Sequence, residues 1–280
     1  MTSAPVLIAQ ISDLHIKRPG ELAYGRVDTA AALRRCVKHL NHFRPRPSIV
    51  VISGDLVDTP HPDEYAYLIE LLAPLEIPFV ALPGNHDSRE MLRATLPHQP
   101  YAHASGPTDL MMTIDGIDLI MLDSSVPGEP YGLLEEKSLT WLDHVCASGA
   151  ERPAVVFLHH PPFTAGIWHM DRNNLRNASE LARVLQRHPR VQHVGTGHIH
   201  RAVLTRFASI PTTICPAPNH AVDLDIAAAR APGFMIEPPA LHLHCWFGED
   251  EGGGNVVTHF IPIGEHDGPY PFFDATGRLL

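Results

Sequence analysis

The sequence has few cysteines and no long apolar run, and each shortage excludes a class of protein. Its four cysteines are far apart and include no CxxC pair: Cys36, Cys146, Cys215 and Cys245. This argues against a disulfide framework or a cysteine-ligated zinc ribbon and favours reduced, buried thiols. No segment approaches the roughly 18 apolar residues of a membrane span, and the N-terminus lacks a basic stretch followed by an apolar run. We therefore expect no membrane association and a cytoplasmic location.

Positive charge is also in short supply. The chain has 21 Lys and Arg against 31 Asp and Glu, which gives a net charge of −10 with histidine neutral. A net negative charge opposes nonspecific binding to a polyanion, so no nucleic-acid polymer is expected as a partner. The content of 44% hydrophobic and 19% charged residues predicts a globular chain with a large core.

Histidine, by contrast, is abundant, with 20 among 280 residues. Histidine is the commonest metal ligand and the side chain most easily poised for proton transfer near neutral pH. Because surface and packing positions also use histidine, its spacing must show which residues are functional.

Short β-branched apolar runs bounded by turn residues predict buried strands. They are Val6–Ile11, Ile49–Ile52, Phe79–Leu82, Ile117–Leu122, Val155–Leu158 and Val191–Val194. Helical stripes fall between several of them, namely within Arg26–Phe43, after Pro62, near Leu139–Cys146 and near Leu181–Leu185. The alternation favours an α/β layered core, and a DG turn at Asp115-Gly116 adds a β-hairpin, so the sheet is mixed or there are two.

The last third of the chain has a different pattern. Beyond about His200 the helical stripes disappear, and short apolar runs alternate with Pro and Gly, which predicts a mostly β region. We assign residues 1–207 to a catalytic core. Residues 208–280 form a β-rich part that completes the core and is a candidate for a cap or an oligomer contact.

Polar groups recur at the ends of the predicted strands, where an open α/β sheet presents its site. Residues two apart in an extended segment face the same side, so a DxH or HxH sequence aims two ligands in one direction. Five strand ends together supply Asp13, His15, Asp55, Asn85, His86, Asp87, His159, His160, His198 and His200. This joint occurrence favours a metal site over ordinary turn chemistry.

Several residues have competing interpretations. We favour Asp58 as a solvated loop or helix-start residue over a residue of the site. Asn85-His86-Asp87 is either a functional set, with Asp87 orienting the His86 imidazole, or a turn that caps a helix beginning near Ser88. His160 is either close to the site or a packing residue. His242 and His244 alternate with leucines, which favours the polar face of a strand over a second metal cluster.

The strand-end residues resemble a known family. Asp13-x-His15, Gly54-Asp55, Gly84-Asn85-His86-Asp87, His159-His160 and Gly197-His198-x-His200 are similar, in order and spacing, to the signature of calcineurin-like metallophosphoesterases. The resemblance runs from about residue 6 to 207. Tyr24-Gly25, Pro161-Pro162 and Leu175-Arg176-Asn177 resemble the bacterial branch that contains cyclic-nucleotide and glycerophosphodiester phosphodiesterases. The resemblance implies a four-layer α/β/β/α sandwich of mixed sheets and a homo-oligomer.

The resemblance also implies roles for individual residues. Asp13, His15 and His200 would hold one metal. Asn85, His159 and His198 would hold the other, and Asp55 would bridge the two. His86 would lie beside the substrate as general acid, with Asn85, Tyr24 and His220 as further substrate-contacting candidates. Mixed His, Asp and Asn ligation suits two divalent transition metals, Mn, Fe, Zn or Co.

The charge of such a site suits a small phosphodiester as partner. Two divalent ions and two carboxylates leave about +2, which dominates locally because salt screens beyond roughly 8 to 10 Å. We expect hydrolysis of a 3′,5′-cyclic nucleotide such as cyclic AMP, or of a glycerophosphodiester, by attack of a metal-bound hydroxide. The alternatives are a broad phosphomonoesterase and a non-catalytic interaction scaffold, which would lack some of the ligands.

Overall fold

In the computed structural model, which describes residues 5–103, 105–149, 152–248 and 254–280, two β-sheets lie face to face. The strands are β1 (Val6–Ile11), β2 (Ile49–Ser53), β3 (Phe79–Leu82), β4 (Leu110–Ile114), β5 (Ile117–Leu122), β6 (Ala154–Leu158), β7 (Val191–Thr196), β8 (Val203–Phe207), β9 (Ile210–Ile214), β10 (Ala221–Val222), β11 (Phe234–Met235), β12 (Ala240–Trp246) and β13 (Val256–Pro262). The helices are α1 (Thr29–His42), α2 (Pro62–Leu72), α3 (Arg89–Thr95), α4 (Glu136–Ser148), α5 (Trp168–Asp171) and α6 (Ala178–Leu185).

Both sheets are mixed. The five-stranded sheet has the order β13-β12-β1-β2-β3, and the six-stranded sheet has the order β4-β5-β6-β7-β9-β8. The central strands run parallel within each sheet, and β4, β8, β12 and β13 join them antiparallel. Parallel strands place their carboxyl ends at the same edge of a sheet, so the loops after β1, β2 and β3 lie side by side, as do those after β6 and β7.

The side chains of β5 show that the fold has four layers, because they pack into two different hydrophobic clusters. Leu119 and Met121 belong to the hydrophobic cluster that contains β1–β3, α1 and α2. Ile120 and Leu122 belong to a second cluster with α4 and α6. Because neighbouring side chains point to opposite faces of a strand, one face of this sheet covers the other sheet and its opposite face carries helices. The order is α/β/β/α, which confirms the expected fold class.

The helices form where the sequence carries both an apolar stripe and a start signal. In α1 the stripe residues Leu33, Cys36, Val37 and Leu40 are all buried, and the Asp28 side chain accepts a hydrogen bond from the Ala31 N–H at 2.8 Å. Pro62 occupies the first turn of α2. Ser88 is the N-cap of α3, and its side chain accepts a hydrogen bond from the Met91 N–H. The preceding Asn85-His86-Asp87 segment therefore does not cap this helix.

The hairpin predicted at Asp115-Gly116 is confirmed. β4 pairs antiparallel with β5, and both turn residues have positive φ, as a two-residue type I′ turn requires. The expected fate of the cysteines is also confirmed, since all four are free and buried.

The C-terminal strands take part in both sheets. β9 pairs with β7, and β12 pairs with β1 along Val6–Gln10. The division of the chain at residue 207 stays a prediction. Within the part of the chain that the structure describes, no helix has the length and apolarity needed to cross a bilayer.

Candidate metal centre

The predicted ligands lie together beyond the carboxyl ends of β1, β2, β3, β6 and β7. The hydrogen bonds between β1 and β2 continue past the strands themselves, because the Asp13 N–H donates to the Gly54 carbonyl at 2.9 Å and the His15 N–H to the Asp55 carbonyl at 3.0 Å. The backbone N–H of His198, from the other sheet, donates to the Asp13 carboxylate at 3.0 Å. These contacts bring the loops of both sheets to one point.

The backbone at this point is unusual. Positive φ values occur at Asp13 (58°), His15 (46°), Asp55 (51°), His198 (73°) and His200 (57°). Non-glycine residues rarely adopt the left-handed region, and such residues concentrate at functional sites, where surrounding contacts hold them in place. The strain therefore coincides with the residues that the sequence selected as ligands.

Asp13, His15 and His200 offer ligand atoms that lie within 4.8 Å of one another, and all three are buried. Nε2 of His15 is 3.1 Å from Nε2 of His200, and Nε2 of His200 is 3.5 Å from Oδ1 of Asp13. Ring nitrogens and a carboxylate oxygen pointing at one small volume form a suitable donor set for a divalent cation.

A second group surrounds His159. Its Nδ1 donates to the Ser53 carbonyl at 2.8 Å, which turns Nε2 toward Oδ2 of Asp55 at 3.3 Å. The His159 and His198 rings lie 5.2 Å apart. Asp55 shares one ligand group with His15 and another with His159, so it lies between the two groups as a bridging carboxylate would.

Unpaired buried atoms show that the residues fit a metal. Oδ1 of Asn85 and Nε2 of His198 are buried without a hydrogen-bond partner in the described residues. Buried polar atoms are rarely left unsatisfied in native structures, because their desolvation is then uncompensated. Both residues line the same cavity, and a cation coordinated by both atoms would satisfy them.

Two glycines allow these loops to approach one another. A Cβ at Gly54 would lie 2.7 Å from Cγ of His159 and 2.9 Å from the Gly84 nitrogen. A Cβ at Gly84 would lie 2.8 Å from Cγ of Asp55. Real Cβ atoms do not come this close, so glycine is required at both positions.

The electrostatics favour the ligating protonation state at Asp55 and His198 and oppose it at His159. Burial opposes the charge of Asp55, but His159 and His86 outweigh it and hold its pKa well below the usual value. Burial lowers the pKa of His198 to about 3, so its imidazole is neutral. Burial also lowers the pKa of His159, but Asp55 outweighs it and raises the value to about 9. Metal binding would release that proton, since a ligand must be deprotonated.

The interpretation of Asp58 as a solvated loop residue is wrong. Its side chain is 17% exposed, and Oδ1 lies 3.3 Å from Nδ1 of His15 while Oδ2 lies 2.8 Å from the Lys17 ammonium. Burial raises the pKa of Asp58, but these two partners outweigh it and lower the pKa overall. A carboxylate on the far nitrogen of a ligand histidine sets its tautomer and ring orientation. The spacing of three residues after Asp55 was the available signal.

The expectation that Asp87 orients His86 is also wrong. The Asp87 carboxylate accepts hydrogen bonds from the Gly84 N–H at 2.8 Å, the Leu56 N–H at 3.1 Å and the Tyr65 hydroxyl at 3.2 Å. It ties the loop after β2 to the loop after β3. The partner of Nδ1 of His86 is the main-chain carbonyl of Asp58, at 2.7 Å.

The three histidines with competing interpretations, His160, His242 and His244, are all buried. His160 is fully buried, and its Nδ1 lies 2.8 Å from the Ser124 hydroxyl. His242 and His244 are buried between the two sheets, because the second sheet covers the face of β12 that was expected to be its polar side. Among the described residues, neither belongs to a group that could hold a metal.

A cavity of about 480 Å³ opens above the ligand groups. All four substrate-contacting candidates line it: Tyr24, Asn85, His86 and His220. Apart from the predicted ligands, the other wall residues lie in segments that carry no sequence signature, so the sequence did not indicate them: Pro130, His169, Met170, Asn173, Val222, Pro232, Gly233 and Phe234. The rings of Tyr24 and Phe234 are 4.9 Å apart, and those of Tyr24 and His220 are 5.3 Å apart. One wall is therefore aromatic.

The family model described as calcineurin-like phosphoesterase matches residues 6–202, and the chain belongs to this family. The expected resemblance is thereby confirmed. Together with the ligand groups, membership supports a divalent metal cofactor. The role assigned to each ligand residue stays a prediction.

Among individual proteins, the chain is 36% identical over 276 residues to a protein of Arcobacter nitrofigilis named probable glycerophosphodiester phosphodiesterase GpdQ, covering 98% of this chain and 100% of that one. It is 32% identical over 198 residues to the Escherichia coli 3′,5′-cyclic adenosine monophosphate phosphodiesterase CpdA, covering 71% and 70%. A dimetal phosphatase from Danio rerio shares the fold, with a TM-score of 0.60 at 15% identity over 93% of this chain and 100% of that structure.

Proposed function

We propose that this protein is a metal-dependent phosphodiesterase that hydrolyses a small phosphodiester. The observation that carries the proposal is the convergence of Asp and His ligand atoms from five strand ends beneath one cavity, with buried atoms of Asn85 and His198 left unpaired. Its family membership and its relatives named phosphodiesterases support the same reaction.

Two divalent transition metals are proposed at this centre. Asp13, His15 and His200 would hold one, while Asn85, His159 and His198 would hold the other, with Asp55 between them. When bound, such cations supply positive charge for the phosphoryl oxygens and lower the pKa of a coordinated water. Elemental analysis of the protein should find about two transition metals per chain, Mn, Fe, Zn or Co.

His86 is proposed as the general acid that protonates the leaving alkoxide. A carbonyl oxygen can only accept, so Nδ1 of His86 carries a hydrogen that it donates to Asp58. Nε2 is therefore the nitrogen available to exchange a proton with a substrate. The side chain lines the cavity and is half-buried, so a substrate can reach it.

A diester fits the cavity better than a monoester. Among the described residues that line it, none is Lys or Arg. A phosphodiester carries one negative charge and two substituents, whereas a monoester carries up to two charges near neutral pH and usually meets basic side chains. Tyr24, Phe234 and Val222 offer apolar surface for a substituent.

The substrate is proposed to be a glycerophosphodiester or a 3′,5′-cyclic nucleotide. The match over the whole length of a relative named for glycerophosphodiesters supports the first, and the shorter match to one named for cyclic AMP supports the second. Rates on bis(4-nitrophenyl) phosphate, 4-nitrophenyl phosphate, cyclic AMP and glycerophosphocholine with added Mn²⁺ test the proposal. Faster turnover of the monoester than of every diester would replace it with a broad phosphomonoesterase.

A non-catalytic scaffold predicts a different measurement. Its fold would be the same, but the protein would hold no metal after metal-supplemented expression and would hydrolyse none of the four esters. Every ligand position of the family signature is filled here, which favours the enzyme.

The protein is also proposed to form a homo-oligomer. The C-terminal segment exposes large apolar side chains, including Phe272 at 78% and Leu280 at 75%, which supports the proposed homo-oligomer. Light scattering coupled to size-exclusion chromatography should give a mass above that of one chain, 30.8 kDa. A cytoplasmic location and the absence of nucleic-acid partners stay predictions.

A further inference from the structure

Gln10 is a fully buried polar residue near the end of β1, three residues before the predicted ligand Asp13. Its amide nitrogen donates to the Ser53 hydroxyl at 2.8 Å and to the Thr196 carbonyl at 3.1 Å. Its amide oxygen lies 3.0 Å from Nε2 of His244. Since that oxygen can only accept, His244 donates through Nε2, and the orientation of the Gln10 amide is determined.

These partners belong to both sheets. Gln10 is on β1, Ser53 ends β2 and His244 is on β12, all in the five-stranded sheet, whereas Thr196 ends β7 in the six-stranded sheet. Each strand end leads directly into ligands. Asp55 is two residues beyond Ser53, and His198 is two residues beyond Thr196. One carboxamide therefore joins the ends of strands that supply ligands from opposite layers.

The two sheets approach one another closely at this place. A Cβ at Gly195 would lie 2.8 Å from the Phe157 ring and 2.9 Å from Oε1 of Gln10. A Cβ at Gly197 would collide with the Ser12 hydroxyl and lie 3.0 Å from Oδ2 of Asp13. Gly195 leaves room on this face of β7 for the Gln10 side chain, and His193, two residues earlier, packs its ring 4.7 Å from that of His244. The Gln10 carboxamide therefore lies at a direct contact between the sheets.

We propose that Gln10 is a positioning residue whose carboxamide sets the distance between the ligands of the five-stranded sheet, Asp13, His15 and Asp55, and those of the six-stranded sheet, His198 and His200. It acts through Ser53, which precedes Asp55, and through Thr196, which precedes His198 and His200, while Gln10 itself precedes Asp13 and His15 on β1. Ser53 also holds His159 through its main-chain carbonyl. The proposal rests on the proposed metal centre, because its effect is exerted on metal ligands.

The test compares metal affinity with stability. In Gln10→Met the side-chain length is kept and all three hydrogen bonds are lost. Titration calorimetry of metal-depleted protein with Mn²⁺ should show affinity reduced about 10- to 100-fold, the usual effect of removing a partner that orients metal ligands. The visible absorption spectrum of the Co²⁺-loaded variant should differ from that of the wild type, because the ligand geometry changes.

The matched control is Thr213→Val. Thr213 is also buried, and its hydroxyl lies 2.9 Å from Nε2 of His193. Its bond from the Thr196 hydroxyl is accepted by the main-chain carbonyl, which Thr213→Val keeps. This variant should lower the melting temperature of metal-depleted protein while Mn²⁺ affinity and the Co²⁺ spectrum stay unchanged. If Gln10 had only a structural role, Gln10→Met would likewise lower the melting temperature and leave Mn²⁺ affinity and the Co²⁺ spectrum unchanged.

Ser53→Ala is the milder variant, since it removes one of the three bonds and keeps the carbonyl that His159 uses. It should weaken Mn²⁺ binding in the same direction, by less than Gln10→Met, and it keeps the test decisive if Gln10→Met does not fold. If the folded Gln10→Met and Ser53→Ala variants bind Mn²⁺ within about twofold of the wild-type affinity, the positioning role of Gln10 is overturned and the proposed metal centre is not. A wild-type protein that binds no Mn²⁺ would overturn the proposed function as well.

Discussion

Oδ1 of Asp58 lies 3.3 Å from Nδ1 of His15, and the main-chain carbonyl oxygen of Asp58 lies 2.7 Å from Nδ1 of His86. One loop residue thus orients a predicted metal ligand with its side chain and the proposed general acid with its backbone. Glu64 holds this loop by accepting a hydrogen bond from the Thr59 N–H at 2.7 Å. The two contacts of Asp58 can be separated by mutation, because only one of them depends on the side chain.

Replacing Asp58 by Ala should weaken metal binding and leave the acid in place. Nδ1 of His15 loses its carboxylate partner, so we expect about 10- to 100-fold lower Mn²⁺ affinity in a calorimetric titration. The carbonyl that orients His86 is retained, so the dependence of rate on leaving group should not change. Asp63→Ala, at an acid that is 66% exposed in the first turn of α2, is the control and should bind Mn²⁺ as the wild type does. Unchanged affinity in Asp58→Ala would show that the pairing has no influence on the metal.

Replacing His86 by Ala should reduce turnover according to the leaving group. Alkyl esters need a proton on the departing oxygen, and general acid catalysis usually contributes roughly 10²- to 10⁴-fold. Nitrophenyl esters need little protonation and should lose far less. Steady-state rates on glycerophosphocholine and bis(4-nitrophenyl) phosphate measure the difference, with the exposed His98 as the control position. Equal losses on both esters would remove His86 from the role of acid.

Replacing Gly54 by Ala should displace His159. The new Cβ would stand 2.7 Å from Cγ of His159 at a residue whose φ is +103°. Gly128→Ala is a matched control, because its φ is +79° and nothing lies within 4 Å. Both changes carry the backbone strain of about 1–2 kcal/mol, visible in thermal unfolding. Only Gly54→Ala should also lose Mn²⁺ affinity, and equal affinities would contradict the close approach.

Stability should fall in mild acid because of histidines between the sheets. Burial lowers the pKa of His193 to about 3 and that of His242 to about 4. Between these values and 6.5 the unfolded chain binds protons that the folded chain does not. The free energy of unfolding therefore rises with pH across that window, by up to about 1.4 kcal/mol per pH unit for each group. This contribution to stability is lost as the pH falls.

Urea unfolding of metal-depleted protein at several pH values between 4 and 7 measures this slope. His193→Gln has no imidazole to protonate in the unfolded chain, so its slope should be shallower than that of the wild type. His98→Gln, at an exposed position, should keep the wild-type slope. Parallel curves for wild type and His193→Gln would contradict the prediction.

Replacing Phe234 by Ala should raise KM with little change in kcat. The ring forms one wall of the cavity with Tyr24 and does not touch the ligand groups. Loss of an aromatic contact of about 0.5–1.5 kcal/mol corresponds to an increase of about 2- to 10-fold in KM for bis(4-nitrophenyl) phosphate. Met235→Ala, on the same strand with a side chain that does not line the cavity, should behave as the wild type. A fall in kcat at constant KM would place Phe234 in the chemical step instead.

Local pattern was sufficient for much of the secondary structure and for selecting the strand-end residues as candidate ligands. The strand Val6–Ile11 has the bounds that its apolar run predicts, and the stripe Leu33–Leu40 is buried as its spacing requires. The DxH and HxH sequences extend from strands, where a period of two is a property of a few consecutive residues. Such features depend on neighbours in the chain, so the sequence determined them by itself.

Packing between distant segments decided the rest. His242 and His244 look like a solvated strand face until the second sheet covers them, and Asp58 looks like a loop residue until His15 and Lys17 lie beside it. Gln10 has no signal in the chain, yet it contacts a residue 186 positions away. The environment of a side chain depends on which surface the fold brings to it, and that surface is contributed by residues that no local pattern relates to it. For these residues only the tertiary structure specified the partner.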